Sequence, residues 1–166
     1  MKALVFSDSH GALNAAIEML TIEKDCPVVF FLGDGARDMQ RLTEMFPERS
    51  FIAVKGNNDF YSSFETEAYK HIDGVTIMAC HGHIFDVRYT LTSLLKKAEG
   101  VRANIALYGH THKANMYNDP VTGICAINPG ALCERKYCVL TIEKGQFDIE
   151  FKSICRGIPS VSWRGF

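Results

Sequence analysis

Lys2-Ala3-Leu4-Val5-Phe6-Ser7-Asp8-Ser9-His10-Gly11 is an apolar run that stops abruptly at a polar turn. It reads as a buried strand followed by a tight turn. Asn14 to Lys24 then places Ala15, Ala16, Met19 and Leu20 on one helical face. Asp25-Cys26-Pro27 ends that helix, because proline cannot continue it. Val28 to Leu32 is a second buried strand, closed by Gly33-Asp34-Gly35. A second helix runs from Ala36 to about Phe46, where Pro47 stops it. Asp38 lies in its first turn, where the helix dipole favours a negative charge. Ser50 to Val54 is a third strand, closed by Gly56-Asn57-Asn58-Asp59. Strand, helix, strand, helix, strand is the pattern of a parallel α/β sheet with right-handed crossovers. Ligands of such sheets sit outside the carboxyl ends of the strands. The three polar clusters fall at that edge.

The second half is richer in strands. Phe64 to Lys70 reads as a half-buried strand, and Val75 to Cys80 as an apolar one ending at His81-Gly82-His83. Leu91 to Ala98 is an amphipathic helix stopped by Gly100. Arg102 to Tyr108 leads into Gly109-His110-Thr111-His112. Three or four further strands are expected, at Lys113 to Tyr117, Gly123 to Asn128, Tyr137 to Glu143 and Gln146 to Ser153. Asn118-Asp119-Pro120 and Lys144-Gly145 make hairpin-type connections.

At 166 residues the chain reads as one domain over 1–166, with a tail at 156–166 that carries Trp163 and Phe166. Those two aromatic residues suggest docking on the body, or a homodimer or higher homo-oligomer. The net charge of -1 leaves no basic field for duplex nucleic acid. No run approaches a membrane-spanning length, and the N-terminal apolar run is too short for a signal peptide. The six cysteines (26, 80, 125, 133, 138 and 155) are scattered without a Cys-x-x-Cys. They read as reduced thiols of a cytoplasmic protein. Cys133 and Cys138 are the one close pair, and no further zinc ligands lie nearby in sequence.

Asp8, His10, Asp34, Asn57, His81, His110 and His112 all fall at strand ends. Each piece alone has an ordinary explanation: a helix cap for Asp8, a turn for Gly33-Asp34-Gly35 or Gly56-Asn57, a polar loop for His81-Gly82-His83. The joint pattern does not. Five clusters follow five apolar strands, and they hold five of the six histidines. The sixth, His71, is expected at the surface without a partner. Carboxylate, imidazole and amide oxygen form a mixed ligand set that suits manganese, iron, zinc or nickel. Seven ligands exceed one ion and suit two, sharing a bridging carboxylate at ~3.5–4 Å separation.

The order Asp-x-His, Gly-Asp, Gly-Asn-x-Asp, His-Gly-His, Gly-His-x-His resembles the calcineurin-like metallophosphoesterases. The small size and Asn128-Pro129-Gly130 are similar to the compact phosphodiesterase branch of bacteria and archaea. The resemblance spans Met1 to about Ser153 and implies a four-layer α/β/β/α sandwich. It implies that Asp8, His10 and His112 hold one divalent metal, that Asn57, His81 and His110 hold a second, and that Asp34 bridges them with a water or hydroxide. Manganese is the first expectation for the metal. The implied reaction is attack of that hydroxide on the phosphorus of a small phosphodiester, with Asp34, Asn57 and His81 at its centre. Asn58 and Arg88 are candidate substrate contacts, and His83 follows the motif without being a metal ligand.

One departure bears on the chemistry. Larger members of that family carry histidine after the Gly-Asn pair, and this chain has Asn58. An amide cannot act as a general acid. Alkoxide leaving groups should therefore be poor ones. Asp59 keeps the motif's acidic end and is expected to orient Asn57 or a neighbouring histidine. Two rival readings remain: a phosphomonoesterase, and a binding scaffold like the retromer subunit that shares this fold and has lost part of its metal shell. None of the seven positions is lost here.

Overall fold

The computed structural model of the chain describes residues 1–154. Cys155 and the 156–166 tail, with its expected docking role, lie outside the described residues. The strands are β1 (Lys2–Phe6), β2 (Val28–Phe31), β3 (Ser50–Ala53), β4 (Glu67–Ile72), β5 (Val75–Cys80), β6 (Ile105–Leu107), β7 (Asn115–Asn118), β8 (Cys125–Asn128), β9 (Lys136–Glu143) and β10 (Gln146–Ser153). The helices are α1 (Leu13–Ile22), α2 (Ala36–Met45) and α3 (Thr92–Gly100). Single 3₁₀ turns lie at His83–Phe85 and Leu132–Glu134.

Two five-stranded sheets stack face to face, ordered β10-β9-β1-β2-β3 and β4-β5-β6-β8-β7. Ala3, Val5, Val28 and Phe30 of the first sheet pack against Ile77, Ala79, Ile105, Leu107 and Ile127 of the second. The alternate residues of the same strands, Leu4, Phe6, Val29 and Phe31, point the other way, onto Ala16, Met19 and Leu20 of α1 and Met39 and Leu42 of α2. Both faces of β1 and β2 are therefore covered, which is why these strands are apolar throughout. Burying one such side chain completely contributes about 1.5–3 kcal/mol. On the far side α3 lays Leu94 and Ala98 against Met78, Ala106 and Ala126. The result is the expected four-layer α/β/β/α sandwich.

The pairings add what the pattern of apolar runs did not hold. β1, β2 and β3 are parallel, as expected. The second sheet has a parallel centre of its own, β5-β6-β8, with β4 and β7 antiparallel at its edges. β9 and β10 leave that sheet and extend the first one, with β9 antiparallel to β1. Apolar periodicity marks a strand without naming its neighbour, so this return was not legible. The β9–β10 turn is Lys144-Gly145, both at positive φ (52° and 77°), as a two-residue hairpin requires. α3 runs through Gly100 rather than stopping before it. His71 lies inside β4, exposed, with Nδ1 3.1 Å from Thr76 Oγ1, so it has a partner after all. The five described cysteines are free thiols, and neither Cys133 nor Cys138 joins a metal-competent group among the described residues.

Candidate metal centre

The parallel strands of both sheets end at one edge of the sandwich. Asp8 follows β1, Asp34 follows β2, Asn57 follows β3, His81 follows β5, and His110 and His112 follow β6. Each carries its side chain into the same space. Asp8 Oδ1 lies 3.2 Å from His112 Nε2 and 3.8 Å from His10 Nε2, and those two nitrogens are 3.3 Å apart. On the other side, His81 Nε2 lies 3.1 Å from Asn57 Oδ1, 3.4 Å from Asp34 Oδ2 and 3.9 Å from Asp8 Oδ1. The His110 ring stands edge-on to His81, centroids 5.1 Å apart. Asp34 Oδ2 also reaches His10 Nε2 at 3.9 Å, so it sits between the two groups.

The donor set fits a cation. The His81 Nδ1 atom faces the Leu32 carbonyl at 2.7 Å, which directs its other nitrogen into the site. Asp8 is fully buried (0% exposed), and its Oδ1 has no hydrogen-bond partner among the described residues. A buried carboxylate oxygen without a donor, ringed by imidazole nitrogens, is a costly arrangement unless positive charge fills it. Asp8, His10 and His112 form one metal-competent group, and Asp8, Asp34 and His81 another. Asp8 is no helix cap: the N-terminus of α1 has no side-chain cap, and Asp8 Oδ2 instead accepts the His110 backbone N–H at 3.1 Å.

Charge is tuned around this centre. Burial opposes ionisation of Asp34, but hydrogen bonds from His81 and from the Asn58 backbone outweigh it and hold the carboxyl below its ordinary range. Burial likewise disfavours charge on His81, yet Asp34 and Asp8 overcome it and raise its pKa. For His110 and His83 burial wins, reinforced by His81, and both are lowered. His83 is half-buried, its ring 5.4 Å from His81, and its Nδ1 has no partner among the described residues.

Three holding devices were missed or misassigned in the sequence. Asp59 touches neither Asn57 nor a histidine. Its carboxylate accepts four backbone N–H groups: Asp34 at 2.8 Å, Gly35 at 3.0 Å, Ala36 at 2.9 Å and Gly56 at 2.9 Å. It thus caps α2 and ties the second motif to the third. Asp38 accepts from Ser9 Oγ at 2.6 Å and Gly11 N at 2.9 Å, which anchors α2 to the first motif. Asn128 donates to the Gly109 carbonyl at 2.7 Å and to Thr111 Oγ1 at 3.1 Å, fixing the loop of the last motif. Asn58, expected near substrate, donates to Asp34 through its backbone N–H (2.8 Å) and its side-chain amide (2.5 Å). Arg88 lines a cavity of about 380 Å³ with His110, His112 and Lys113. Lys113 had no motif to single it out.

The glycines let these loops touch. A Cβ on Gly56 would lie 2.0 Å from Asp34 Oδ1 and 2.6 Å from Asp34 N. Gly56→Ala should therefore displace Asp34 and lower divalent-metal affinity by about 10–100-fold. Metal titration followed by calorimetry checks this, and wild-type affinity would show that the two loops separate freely.

Residues 1–145 match the family model for the calcineurin-like phosphoesterase superfamily domain. A probable metallophosphoesterase, YsnB of Bacillus subtilis (strain 168), is 27% identical, covering 91% of this chain and 90% of its own. A solved structure from Streptococcus pneumoniae TIGR4, a conserved protein described as a predicted phosphoesterase, is 27% identical with a TM-score of 0.79, covering 98% of this chain and 97% of its own. Vps29 of Entamoeba histolytica, complexed with zinc, shares the fold at 19% identity with a TM-score of 0.78, covering 98% and 99% of the two chains. No helix among the described residues is long and apolar enough to cross a membrane.

Proposed function

The chain belongs to the calcineurin-like phosphoesterase superfamily, and from that premise we propose that it hydrolyses a small phosphodiester with the help of two divalent metal ions. The observation that carries this reading is the ring of lone pairs around the unpartnered, buried Oδ1 of Asp8. Asp8, His10 and His112 would hold one ion; Asn57, His81 and His110 would hold the other; Asp34, which lies between the two groups, would serve both. Ions bound there would supply polarisation of the phosphoryl oxygens and a water of near-neutral pKa. Manganese suits this oxygen-and-imidazole set, as do iron, nickel and zinc.

The protein's own groups do the rest. Arg88 and Lys113 line a cavity with His110 and His112 and would receive the negative charge of the phosphoryl group. Asn58 fixes the orientation of Asp34 rather than moving a proton. Neither its amide nor the Arg88 guanidinium is a general acid. The leaving group must therefore depart without help from these residues, which favours esters of acidic alcohols. Diesters suit the site because the edge is open on both flanks of the metal ligands, toward the Arg88 cavity and toward a larger one beside His10 and Asn58. All seven ligand positions are filled, which favours an enzyme over a metal-poor scaffold.

Supplied with manganese, the protein should cleave aryl phosphodiesters about 100-fold or more faster than dialkyl ones, the scale of a missing general acid. Metal analysis should return two ions per chain. Equal aryl and alkyl rates would reveal an acid elsewhere. A metal-bound but inert protein would favour the scaffold, and preference for aryl monoesters would make it a monoesterase.

A further inference from the structure

The larger cavity beside the metal centre, about 710 Å³, is not explained by hydrolysis alone. It shares His10, Asp34 and Asn58 with the centre, so anything bound in it abuts the reacting phosphate. Its volume is that of a site for a molecule of nucleotide size. A simple dialkyl or diaryl ester would leave most of it empty.

Its two walls differ in chemistry. One is the exposed face of α2, where Arg37, Gln40 and Arg41 fall at i, i+3 and i+4 and so point the same way. Neither arginine has a hydrogen-bond or ion-pair partner among the described residues. The nearby carboxylates are already committed, Asp38 to Ser9 and Gly11, and Asp59 to four backbone N–H groups. Two like charges one turn apart cost helix stability. No carboxylate among the described residues pairs with either arginine to offset that cost, whereas a phosphate between the two guanidinium forks would. The N-terminus of α2 is capped by Asp59, so the arginines are this wall's remaining source of positive charge.

The other wall is the loop that follows Asn57 and Asn58. There Phe60 is 81% exposed and Tyr61 is fully exposed. Two adjacent aromatic rings thus stand largely exposed at the mouth of a cavity, outside the hydrophobic clusters of the described residues. Flat rings beside an anion site are the means by which proteins hold a base while the backbone phosphates are gripped elsewhere.

We propose that this cavity is a specificity subsite for one arm of the substrate, with Phe60 and Tyr61 stacking on a nucleobase and Arg37 and Arg41 gripping a second phosphate. The substrate class is then a nucleotide-type phosphodiester that carries a further phosphate. This rests on the phosphodiesterase reading above and adds the identity of the arm.

The test compares three p-nitrophenyl diesters: the methyl ester, the thymidine 5′-ester, and the thymidine 5′-ester with a 3′-phosphate. In the wild type, kcat/KM should rise about 10-fold with the base and about 10-fold again with the extra phosphate, each the scale of one good stacking or ionic contact. Arg37→Ala/Arg41→Ala should erase the second gain, and Phe60→Ala/Tyr61→Ala the first. Both variants should keep methyl-ester turnover within about twofold, as exposed substitutions away from the ligands do. Calorimetry with thymidine 3′,5′-bisphosphate in the presence of a chelator supplies a readout independent of metal and turnover. Binding should be lost in the arginine variant. If no diester is cleaved but the bisphosphate binds through the arginines, the subsite stands and the phosphodiesterase reading falls. If the methyl ester is cleaved as well as the nucleotides, or the bisphosphate binds equally to the variants, the subsite is overturned and the hydrolysis remains.

Discussion

Asp34→Asn should abolish the proposed hydrolysis, with turnover on an aryl phosphodiester falling about 1,000-fold or more, the scale seen when one preorganised electrostatic group is removed. The change is one atom, and its effect comes from position. Asp34 Oδ2 is within 3.4 Å of His81 Nε2 and 3.9 Å of His10 Nε2, so the carboxylate faces both ligand groups at once. An amide removes the negative charge from both and turns an N–H₂ toward one of them. The fold itself should survive. The Asp34 backbone N–H is held by Asp59, not by its own side chain, and the Asp8 and His112 contact is untouched. Metal analysis and thermal melting on the same preparation separate the two effects. Metal content should fall while the melting temperature moves by only a few degrees. Near-wild-type turnover would remove Asp34 from between the two groups and with it the paired centre.

The legibility of this molecule divides by the range of the interaction. Local periodicity was enough for the first three strands and two helices, and Ala15, Ala16, Met19 and Leu20 are the buried face of α1 as read. The convergence of the candidate ligand clusters was legible because each ends an apolar run, and strand ends of one parallel sheet share an edge by topology. What could not be read was everything that depends on which strand neighbours which. His81 and His110 belong to a different sheet from Asp8 and Asp34, and nothing in the apolar pattern says that the two sheets present the same edge. The holding residues were hidden for a related reason. Asp59, Asp38 and Asn128 act on backbone N–H and C=O groups, which leave no mark in the sequence of the segment they hold.

The backbone at the ligands explains why such holding is needed. Asp8, His10, Asp34, His110 and His112 all have positive φ, between 44° and 68°. A residue other than glycine in this left-handed region costs about 1–3 kcal/mol. Five of the seven candidate ligands carry that cost, and each lies within five residues of the end of a buried strand. The left-handed turn reverses the chain directly after the strand and brings the ligand back over the strand end. The strain is sustained by the rigid sheets below and by carboxylate and amide clamps beside the loops. In the proposed reaction, candidate ligand atoms held in place in this way would need little rearrangement when charge develops on the substrate.

The clamp with most to lose is Asp59, and Asp59→Asn should destabilise the protein by about 3–5 kcal/mol, the range for breaking a buried charged network. Four backbone N–H groups converge on its two oxygens, from Asp34, Gly35, Ala36 and Gly56. Asparagine keeps one oxygen and replaces the other with an N–H₂ that points donor against donor. At least one buried N–H then loses its acceptor, and α2 loses the negative charge at its N-terminus. Asp59→Ala removes the repulsion but leaves all four groups without the carboxylate, so it should be no milder. Denaturant unfolding should show the midpoint lowered in both variants with the slope unchanged. Metal affinity should fall as well, because Asp34 and Asn57 flank the N–H groups set loose. A cheaper explanation, that Asp59 is an ordinary surface carboxylate, predicts a change within about 0.5 kcal/mol. An unchanged midpoint would establish it, and the loops of the second and third motifs would then be held by the strands alone.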